Sequence, residues 1–284
     1  MTEIKDRAAV VTGGGSGIGR ALAIELARQG AAVGVADIMP ANAERVAREI
    51  TDEGGTAIAL ECDVCERGSI DAMRTEAQGE LGAISLLIAN AGATSFEPLV
   101  EMSDADVDWI VHVNLMGTLY CVQSFLPGMI AAGKGGHLLA TSSVSGMFPA
   151  WLPSQAPYSS AKLGVVGLML NLGAELAPHD INTTVYCPGG VATGMKDNNE
   201  RYRPTRFGGP KAAPVRVPEE FVQDSLRMLA PEVIAPMVLR AITNDRRIVF
   251  DHSSQRQVWI DTYQQPVLDA FDVVEQEEIA ASRG

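Results

Sequence analysis

The chain has 284 residues, of which 46 % are hydrophobic and 20 % charged, and its formal net charge at pH 7 is −13. This hydrophobic content can bury a large core, which excludes intrinsic disorder and a fibrous architecture. The negative charge argues against a nucleic-acid-binding role, because affinity for the phosphate backbone depends on basic side chains.

Short apolar strands and amphipathic helices alternate along the sequence. Strands are predicted at residues 8–12, 32–36, 56–61, 86–89, 136–141, 181–186 and 247–250. Strands joined by helices form parallel sheets with right-handed crossovers that cover both faces. We predict an α/β fold of the Rossmann type, with a doubly wound parallel sheet of about seven strands in a three-layer α/β/α arrangement. Ligands of such sheets bind at the carboxyl ends of the strands.

The sequence shows no export signal or membrane anchor. Residues 1–7 alternate in charge, and no run reaches the roughly 20 apolar residues that span a bilayer. The four cysteines are too few for a disulfide framework in a chain of this length. We expect a cytoplasmic protein that binds neither membranes nor nucleic acids.

A glycine-rich turn, TGGGSGIG at residues 12–19, follows the first predicted strand and opens a helix. Glycines allow the backbone to approach a ligand closely, and free amides at a helix N-terminus attract a pyrophosphate. Gly13, Gly17 and Gly19 give the spacing G-x-x-x-G-x-G, which differs from the G-x-G-x-x-G dinucleotide fingerprint. The context still favours a dinucleotide site.

Asp37 stands directly after the second predicted strand. A carboxylate at this place accepts hydrogen bonds from the adenosine ribose and repels a 2′-phosphate, so Asp37 favours NAD over NADP. The alternative is that Asp37 only caps the following helix.

Cys62 and Cys65 form a CxxC motif near the end of the third predicted strand. Redox and zinc sites use this spacing, but no second Cys or His pair stands at ligand spacing. We interpret the motif as a chance occurrence and predict no metal site.

Tyr158 and Lys162 are four residues apart and share one face of a predicted helix. A phenol titrates near pH ~10, so a base at neutral pH requires its pKa to fall by about 3 units. A lysine cation at about 4 Å supplies that shift at an effective dielectric of about 20. A solvated helix face is the alternative interpretation of the pair.

Residues 194–225 are predicted to form a substrate lid. Between residues 194 and 217 the sequence has six basic and two acidic side chains, and three prolines interrupt any long helix. Such a segment is typical of a mobile cover over a site. The basic side chains are either an anion-binding surface or an ordinary solvated loop.

Residues 251–284 form a C-terminal extension in which a helix is predicted at about 255–274. Its acidic end holds Glu275, Glu277 and Glu278. We hypothesise that these carboxylates dock on Arg201, Arg203 or Arg206 of the lid, in the same or a neighbouring subunit.

Seven motifs identify the sequence as a member of the short-chain dehydrogenase/reductase family. They are TGGGSGIG at 12–19, CDV at 62–64, ANAG at 89–92, VNLMG at 113–117, SSVSG at 142–146, YSSAK at 158–162 and PGGVAT at 188–193. The resemblance covers nearly the whole sheet-forming region. It implies that residues 1–284 are one NAD(P)-binding Rossmann-fold domain.

The resemblance implies a catalytic tetrad of Asn114, Ser143, Tyr158 and Lys162. Tyr158 would exchange a proton with the substrate oxygen, and Ser143 would hydrogen-bond that oxygen. Lys162 would lower the pKa of the phenol and hold the nicotinamide ribose, while Asn114 would hold a water that links Lys162 to solvent. The cofactor supplies the hydride chemistry without a metal.

The resemblance also implies the cofactor contacts. They are Gly13, Ser16, Gly17, Ile18, Gly19, Asp37, Asp63, Val64, Asn90, Gly92, Tyr158, Lys162, Pro188, Gly189, Val191 and Thr193. Asp63 and Val64 would meet the adenine, and Val191 and Thr193 would hold the carboxamide end. The sequence departs from the family pattern at Ala89 and in a longer connection between Ser143 and Tyr158.

That connection, residues 146–157, includes Met147, Phe148, Trp151 and Leu152. Large apolar side chains beside Ser143 would favour a bulky hydrophobic alcohol or ketone. The alternative is that Phe148 and Trp151 pack against the lid or a neighbouring subunit. Residues 108–114 and 125–131 and the C-terminal helix resemble a subgroup that includes Cα-dehydrogenases of lignin-type aryl ethers. This resemblance implies an aryl or otherwise bulky secondary alcohol, with steroid-like and terpene alcohols as alternatives.

We therefore predict an NAD-dependent alcohol dehydrogenase that oxidises a bulky secondary alcohol. The alternatives are an NADPH-type carbonyl reductase, which Asp37 disfavours, and a non-catalytic dinucleotide-binding regulatory protein. The resemblance implies a homodimer or homotetramer, formed through the helices that carry Asn114 and Tyr158.

Overall fold

The computed structural model describes residues 1–148, 153–212 and 228–282. In this part of the chain, seven strands form one sheet in the order β3-β2-β1-β4-β5-β6-β7, and every neighbouring pair is parallel. The strands are β1 Ala8–Thr12, β2 Ala32–Asp37, β3 Thr56–Glu61, β4 Ile84–Ala89, β5 Gly136–Thr141, β6 Ile181–Cys187 and β7 Ile248–Phe250. The predicted doubly wound fold is confirmed, and its strand order reverses between β1 and β4.

Helices cover both faces of the sheet. They are α1 Gly17–Arg28, α2 Pro40–Asp52, α3 Arg67–Leu81, α4 Asp104–Val111, α5 Gly117–Ala132, α6 Val144–Met147, α7 Ala156–Glu175, α8 Asn198–Arg201, α9 Pro231–Thr243, α10 Gln255–Trp259 and α11 Gln265–Ser282. One hydrophobic core lies between the sheet and α3, α5 and α7, and a second lies between the sheet and α1, α2 and α9. This is the predicted three-layer arrangement.

A π-helical turn, His112–Met116, joins α4 to α5 and contains Asn114. Single π-turns of this kind occur frequently at functional sites. The continuous helix Asp104–Ala132 is long and apolar enough to cross a membrane by length and composition. One face of this helix packs on β4 and on α3 and brings Asn114 to full burial, and 33 % of its most apolar 18-residue window is buried in the subunit.

The C-terminal extension is helical from Gln255 to Ser282, with a π-turn at Ile260–Gln264. It is therefore longer than the helix predicted at residues 255–274. Its first turns pack Val258 and Trp259 against Val144 and Phe148. By contrast, α11 has no buried residue in the described part of the chain.

Candidate active site

A cleft of about 960 Å³ opens at the carboxyl ends of the strands, where the strand order reverses. It brings together most of the predicted cofactor contacts, which are Gly13, Ser16, Gly17, Ile18, Asp37, Asp63, Val64, Asn90, Gly92, Tyr158, Lys162, Pro188 and Thr193. The lining also contains residues that the sequence did not single out, among them Ile38, Trp109, Thr141, Met195, Asn198 and Tyr202.

The glycine-rich turn forms a cradle below the N-terminus of α1. Gly13 and Gly17 have φ angles of +61° and +50°, which favour glycine. A Cβ on Gly19 would lie 2.1 Å from the carbonyl oxygen of Gly13, so only glycine allows this close packing. The first amides of α1 point to the cleft without partners inside the helix, which suits a pyrophosphate.

Asp37 ends β2 at the edge of the cleft and is buried. Its carboxylate accepts hydrogen bonds from the amides of Gly15 and Met39, each at 3.0 Å. Burial raises its pKa, and these amide hydrogen bonds oppose the rise. Asp37 thus holds the turn before α2, whose N-cap is Met39, and it also lines the cleft, so its role toward an adenosine ribose stays a prediction.

The tetrad residues Ser143, Tyr158 and Lys162 converge from the end of β5 and from α7. The Nζ atom of Lys162 donates to the carbonyl oxygen of Thr141 at 2.8 Å and lies 5.7 Å from the centre of the Tyr158 ring. The hydroxyl of Ser143 accepts from the amide of Ser145 at 3.1 Å. The carbonyl oxygen of Lys162 accepts from the Ser142 hydroxyl at 2.7 Å, which fixes α7 to the end of β5.

The electrostatics of this pair differ from the prediction that Lys162 lowers the pKa of Tyr158. Burial raises the pKa of Tyr158 to about 12, and a hydrogen bond with Ser143 opposes that rise. Burial also lowers the pKa of Lys162 to about 7. The rise in the Tyr158 pKa comes from desolvation, so the phenol is the protonated partner that can donate to a substrate oxygen.

Asn114 is buried below the cleft. Its amide nitrogen donates to the carbonyl oxygens of Ala93 and Ile110, each at 2.8 Å. Its Oδ1 atom has no partner in the described part of the chain. A Cβ on Gly92 would lie 2.8 Å from this oxygen and 3.4 Å from Nζ of Lys162, so both polar atoms face the same glycine. An acceptor at this place can hold the predicted water.

Five predicted site residues do not line the cleft. They are Gly19, Asn114, Ser143, Gly189 and Val191. Asn114 and Ser143 are nearly buried beneath it, and Gly19 supports the cradle. Val191 packs in the core that contains α1 and α9, and Gly189 lies against the C-terminal extension. The predicted contact of Val191 with the carboxamide end stays a prediction.

The described part of the predicted lid, residues 194–212, is not structureless. It forms α8 and the 3-10 turns Met195–Asp197 and Thr205–Phe207. The side chain of Asn198 donates to the carbonyl oxygen of Gly92 at 2.8 Å, and Asn199 donates to that of Thr94 at 3.0 Å. Asn199 also accepts from the indole of Trp109 at 2.9 Å. Residues 213–225 of the lid lie outside the described residues.

The basic side chains of the lid bind carboxylates of the protein body. Arg203 pairs with buried Asp106, to which Lys211 also donates at 2.8 Å. The lysine hydrogen bond is the main influence that holds the pKa of Asp106 well below its usual range, against the effect of burial. Arg203 and Lys211 therefore belong neither to an anion-binding surface nor to a solvated loop, which were the two alternatives predicted for the lid.

Arg206 binds Asp63 at 2.6 Å and Glu66 at 3.0 Å. One side of Asp63, a predicted adenine contact, is therefore occupied by the lid. The acidic residues at positions 275, 277 and 278 are exposed and do not contact the lid arginines. Among the described residues Arg201, Arg203 and Arg206 pair with other carboxylates, so docking within one subunit has no support here, and docking on the lid arginines of a neighbouring subunit stays a hypothesis.

The connection after Ser143 also differs from the prediction. Phe148 is only 1 % exposed, packs toward α10 and is not among the residues that line the cleft. Trp151 and Leu152 lie outside the described residues.

Cys62 and Cys65 are free and buried, and burial raises the pKa of both thiols to about 12. Unreactive thiols agree with the interpretation of the CxxC motif as a chance occurrence.

Sequence reasoning missed Asp251, which joins the C-terminal extension to the loop after β6. Its carboxylate accepts from the Tyr186 hydroxyl at 2.7 Å and from the Gly189 amide at 2.9 Å. Its position directly after the last strand was the available signal, since that is where ligand-facing groups gather in a parallel sheet.

Comparisons with known proteins agree with this geometry. A family model described as short chain dehydrogenase matches residues 7–203. C alpha-dehydrogenase of Sphingobium sp. strain SYK-6 is 32 % identical over 209 residues, which are 73 % of this chain and 68 % of the relative. A dehydrogenase subunit of Thauera aromatica, named for (2S)-[(R)-hydroxy(phenyl)methyl]succinyl-CoA, is 34 % identical over 68 % of this chain and 77 % of its own.

Among solved structures, a short chain dehydrogenase/reductase from Burkholderia phymatum in complex with NAD has a TM-score of 0.86 and 28 % identity. The match covers 95 % of this chain and 97 % of that protein. It therefore extends over both the sheet and the C-terminal helices.

Proposed function

This chain belongs to the short chain dehydrogenase family and is an oxidoreductase. We propose that it transfers a hydride between NAD and a bulky hydrophobic secondary alcohol or its ketone, with aryl alcohols as the favoured class. The observation that carries the proposal is the convergence of Ser143, Tyr158 and Lys162 beside a glycine cradle at the switch point of the sheet.

The residues present fit a dinucleotide. The glycine turn is packed too closely against the rest of the protein for any Cβ, and Ser16, Gly17 and Ile18 at the start of α1 line the cleft, where a helix N-terminus suits a pyrophosphate. The unpartnered Oδ1 of Asn114 and the buried Nζ of Lys162 flank Gly92, further along the cleft. NAD, when bound, would supply the hydride acceptor for the carbinol carbon.

NAD rather than NADP is proposed because of Asp37. Its buried carboxylate sits where the adenosine ribose would lie, and a 2′-phosphate there would meet like charge. The Burkholderia protein of similar fold is in complex with NAD, which supports this choice.

A bulky substrate is proposed from the lining and from the relatives. Trp109, Val113 and Met195 give the cleft large apolar walls. The Thauera protein is named for a substrate with a phenyl-bearing secondary alcohol, and the Sphingobium protein is a Cα-dehydrogenase.

The proton steps follow from the side chains. In ketone reduction the protonated Tyr158 donates to the substrate oxygen, while Ser143 hydrogen-bonds the same oxygen. In alcohol oxidation the phenolate must take that proton, and a charged Lys162 favours the phenolate. Asn114 Oδ1 is placed to hold the water that returns the proton to solvent.

We further propose that the protein is cytoplasmic, is a homodimer or homotetramer, and uses no metal, membrane or nucleic acid. Its sparse, buried and unpaired cysteines fit a reducing compartment.

The test is the appearance of reduced nicotinamide absorbance with NAD or NADP and a panel of aryl secondary alcohols. We expect NAD reduction that falls at least about 10²-fold in Tyr158→Phe, because general acid–base groups contribute about 10²–10⁴-fold. Tyr120→Phe, on α5, is the control because Tyr120 lies outside the cleft under Arg67. Tight NAD binding with no turnover of any alcohol would contradict the proposal and favour a non-catalytic role.

A further inference from the structure

The described part of the lid lies against the carboxyl ends of β2 and β3, at one end of the cleft. Arg206 binds Asp63 at 2.6 Å and Glu66 at 3.0 Å, and both acidic residues follow β3 closely. Four residues earlier in the lid, Tyr202 lines the cleft together with Asp37, the last residue of β2. The lid therefore forms part of the wall at the end of the cleft to which the proposed function assigns the adenosine of NAD.

The Tyr202 side chain spans the gap between the lid and α2. Its hydroxyl accepts a hydrogen bond from the side chain of Asn42, in α2, at 3.4 Å. A Cβ on Gly15 would lie 2.5 Å from Cβ of Asn42 and 2.6 Å from Oδ2 of Asp37, so Asn42 and Asp37 stand side by side at the glycine cradle. Tyr202 thus reaches from the lid to the wall of the cleft that carries Asp37.

The residues on both sides of Tyr202 are fixed to the protein body. Asn199 is 5 % exposed and donates to the carbonyl oxygen of Thr94 at 3.0 Å, and Arg203 pairs with buried Asp106. Tyr202 itself is half-buried, and its hydrogen bond of 3.4 Å is long. The lid backbone therefore holds Tyr202 at the cleft, while its side chain is free to adjust to a ligand.

We propose that Tyr202 is a cofactor-binding residue of the lid, whose aromatic ring packs against the adenosine of the dinucleotide. This inference rests on the proposed function, because Asp37 and Asp63 mark this end of the cleft as the adenosine end of bound NAD. A tyrosine suits the role, since a purine stacks on an aromatic ring and the hydroxyl keeps a polar partner at the rim. The lid then holds the cofactor and does not only cover the substrate.

The experiment measures the binding of ADP-ribose and of NADH to the purified protein by isothermal titration calorimetry. ADP-ribose contains the adenosine and the pyrophosphate but no nicotinamide, so its affinity reports on the adenosine end without turnover. The wild type is compared with Tyr202→Ala and Tyr202→Phe. The matched controls are Arg201→Met, at an exposed neighbour in the lid, and Met195→Ala, at a lid residue that lines the cleft near Gly92.

We expect Tyr202→Ala to weaken the binding of both ligands at least about 5-fold, as the loss of one stacked base predicts. Tyr202→Phe keeps the ring and changes either affinity by about 3-fold or less, because the hydroxyl makes one long hydrogen bond. Arg201→Met leaves both affinities unchanged, and Met195→Ala leaves the affinity for ADP-ribose unchanged. An unchanged affinity in Tyr202→Ala, or equal losses in Tyr202→Ala and Tyr202→Phe, overturns the assignment.

Melting temperatures establish that each variant is folded. Tyr202→Leu, which fills most of the space without an aromatic face, takes the place of Tyr202→Ala if the alanine variant does not fold, and the same loss is expected. A wild type that does not bind ADP-ribose overturns the inference. If ADP-ribose binds and no alcohol is oxidised, the proposed function fails, whereas the affinities of the Tyr202 variants still decide the role of this residue.

Discussion

Lys162 is buried beneath the cleft with its Nζ atom on the carbonyl oxygen of Thr141, and burial lowers its pKa from 10.5 to about 7. Between pH 7 and pH 10.5 the Lys162 amine is protonated in the unfolded chain and neutral in the folded chain. The contribution of this group to stability therefore rises with pH across the window from about 7 to 10.5. Below pH 7 the full penalty of the buried lysine is present.

We predict that the stability of the wild type relative to Lys162→Met increases as pH rises from 7 to 10. The lost hydrogen bond to Thr141 affects all pH values, so the pH-dependent part isolates the charge. Melting temperatures should show a relative change of about 3 °C or more over this range. Lys134→Met, at an exposed lysine, should show no such trend. Parallel pH profiles for the wild type and Lys162→Met would refute this account.

A substitution of Asp37 tests the proposed preference for NAD over NADP. Asp37→Asn keeps the shape of the side chain and removes its charge, so the repulsion of a 2′-phosphate is lost. We expect the ratio of kcat/KM for NAD over NADP to fall at least about 10-fold, which corresponds to about 1.4 kcal/mol. Glu61→Gln is the control, since Glu61 is exposed and lies opposite Asp37 in the ladder. An unchanged ratio would mean that Asp37 serves only the turn.

For Tyr158 and Lys162, the sequence predicts their shared helix but not the direction of their pKa shifts. The spacing of Tyr158 and Lys162 correctly predicted a shared helix, because four residues make about one turn. The sign of their pKa shifts was not predictable from spacing, since it depends on burial by the sheet and the lid. Coulomb attraction alone gave a lowered phenol pKa, whereas desolvation raises it.

At the scale of elements, strands were predicted more accurately than the lid. The bounds of β1, β3 and β5 match the prediction. β1 and β5 are buried along their whole length, and buried parallel strands have a local apolar signature. The lid contains no such signal. Its short turns are held by contacts distant in sequence, such as Arg203 with Asp106, 97 residues away.

The ion pair of Arg203 with Asp106 gives the lid a testable anchor. Both side chains are about 5 % exposed, and Arg203 also donates to the carbonyl oxygen of Phe207 at 2.6 Å. Arg203→Met leaves Asp106 with Lys211 as its remaining cation, so we expect a loss of about 2–3 kcal/mol of stability. This corresponds to a fall of roughly 4–12 °C in Tm.

Arg201→Met is the control for this anchor. Arg201 is exposed and pairs only weakly, at 3.5 Å, with Asp197 in the neighbouring turn. Its replacement should change stability by about 0.5 kcal/mol or less. Equal effects of the two substitutions would show that the buried ion pair does not hold the lid.

At the scale of the whole molecule, the order of motifs was enough to predict the sheet and the cleft. The course of the C-terminal extension could not be predicted, because α10 is held by the Asp251 carboxylate and by packing of Val258 and Trp259 on residues distant in sequence. The apolar residues of α11 would also predict a buried helix, which the described subunit does not have. They are exposed in the described chain, so they do not report a core of this subunit.

We expect α11 to pack against a second copy of the chain. Phe271 is 68 % exposed, and Val267 and Leu268 are also largely exposed on the same helix. An isolated helix of 18 residues with no tertiary contact is marginal in water, and a contiguous apolar patch marks an interaction surface. Phe271→Ser should therefore lower the molar mass measured by light scattering at micromolar concentration. Val100→Ser, at an apolar residue that is 92 % exposed elsewhere, should leave the mass unchanged. A monomeric wild type, or an oligomer indifferent to Phe271→Ser, would place the assembly surface outside α11.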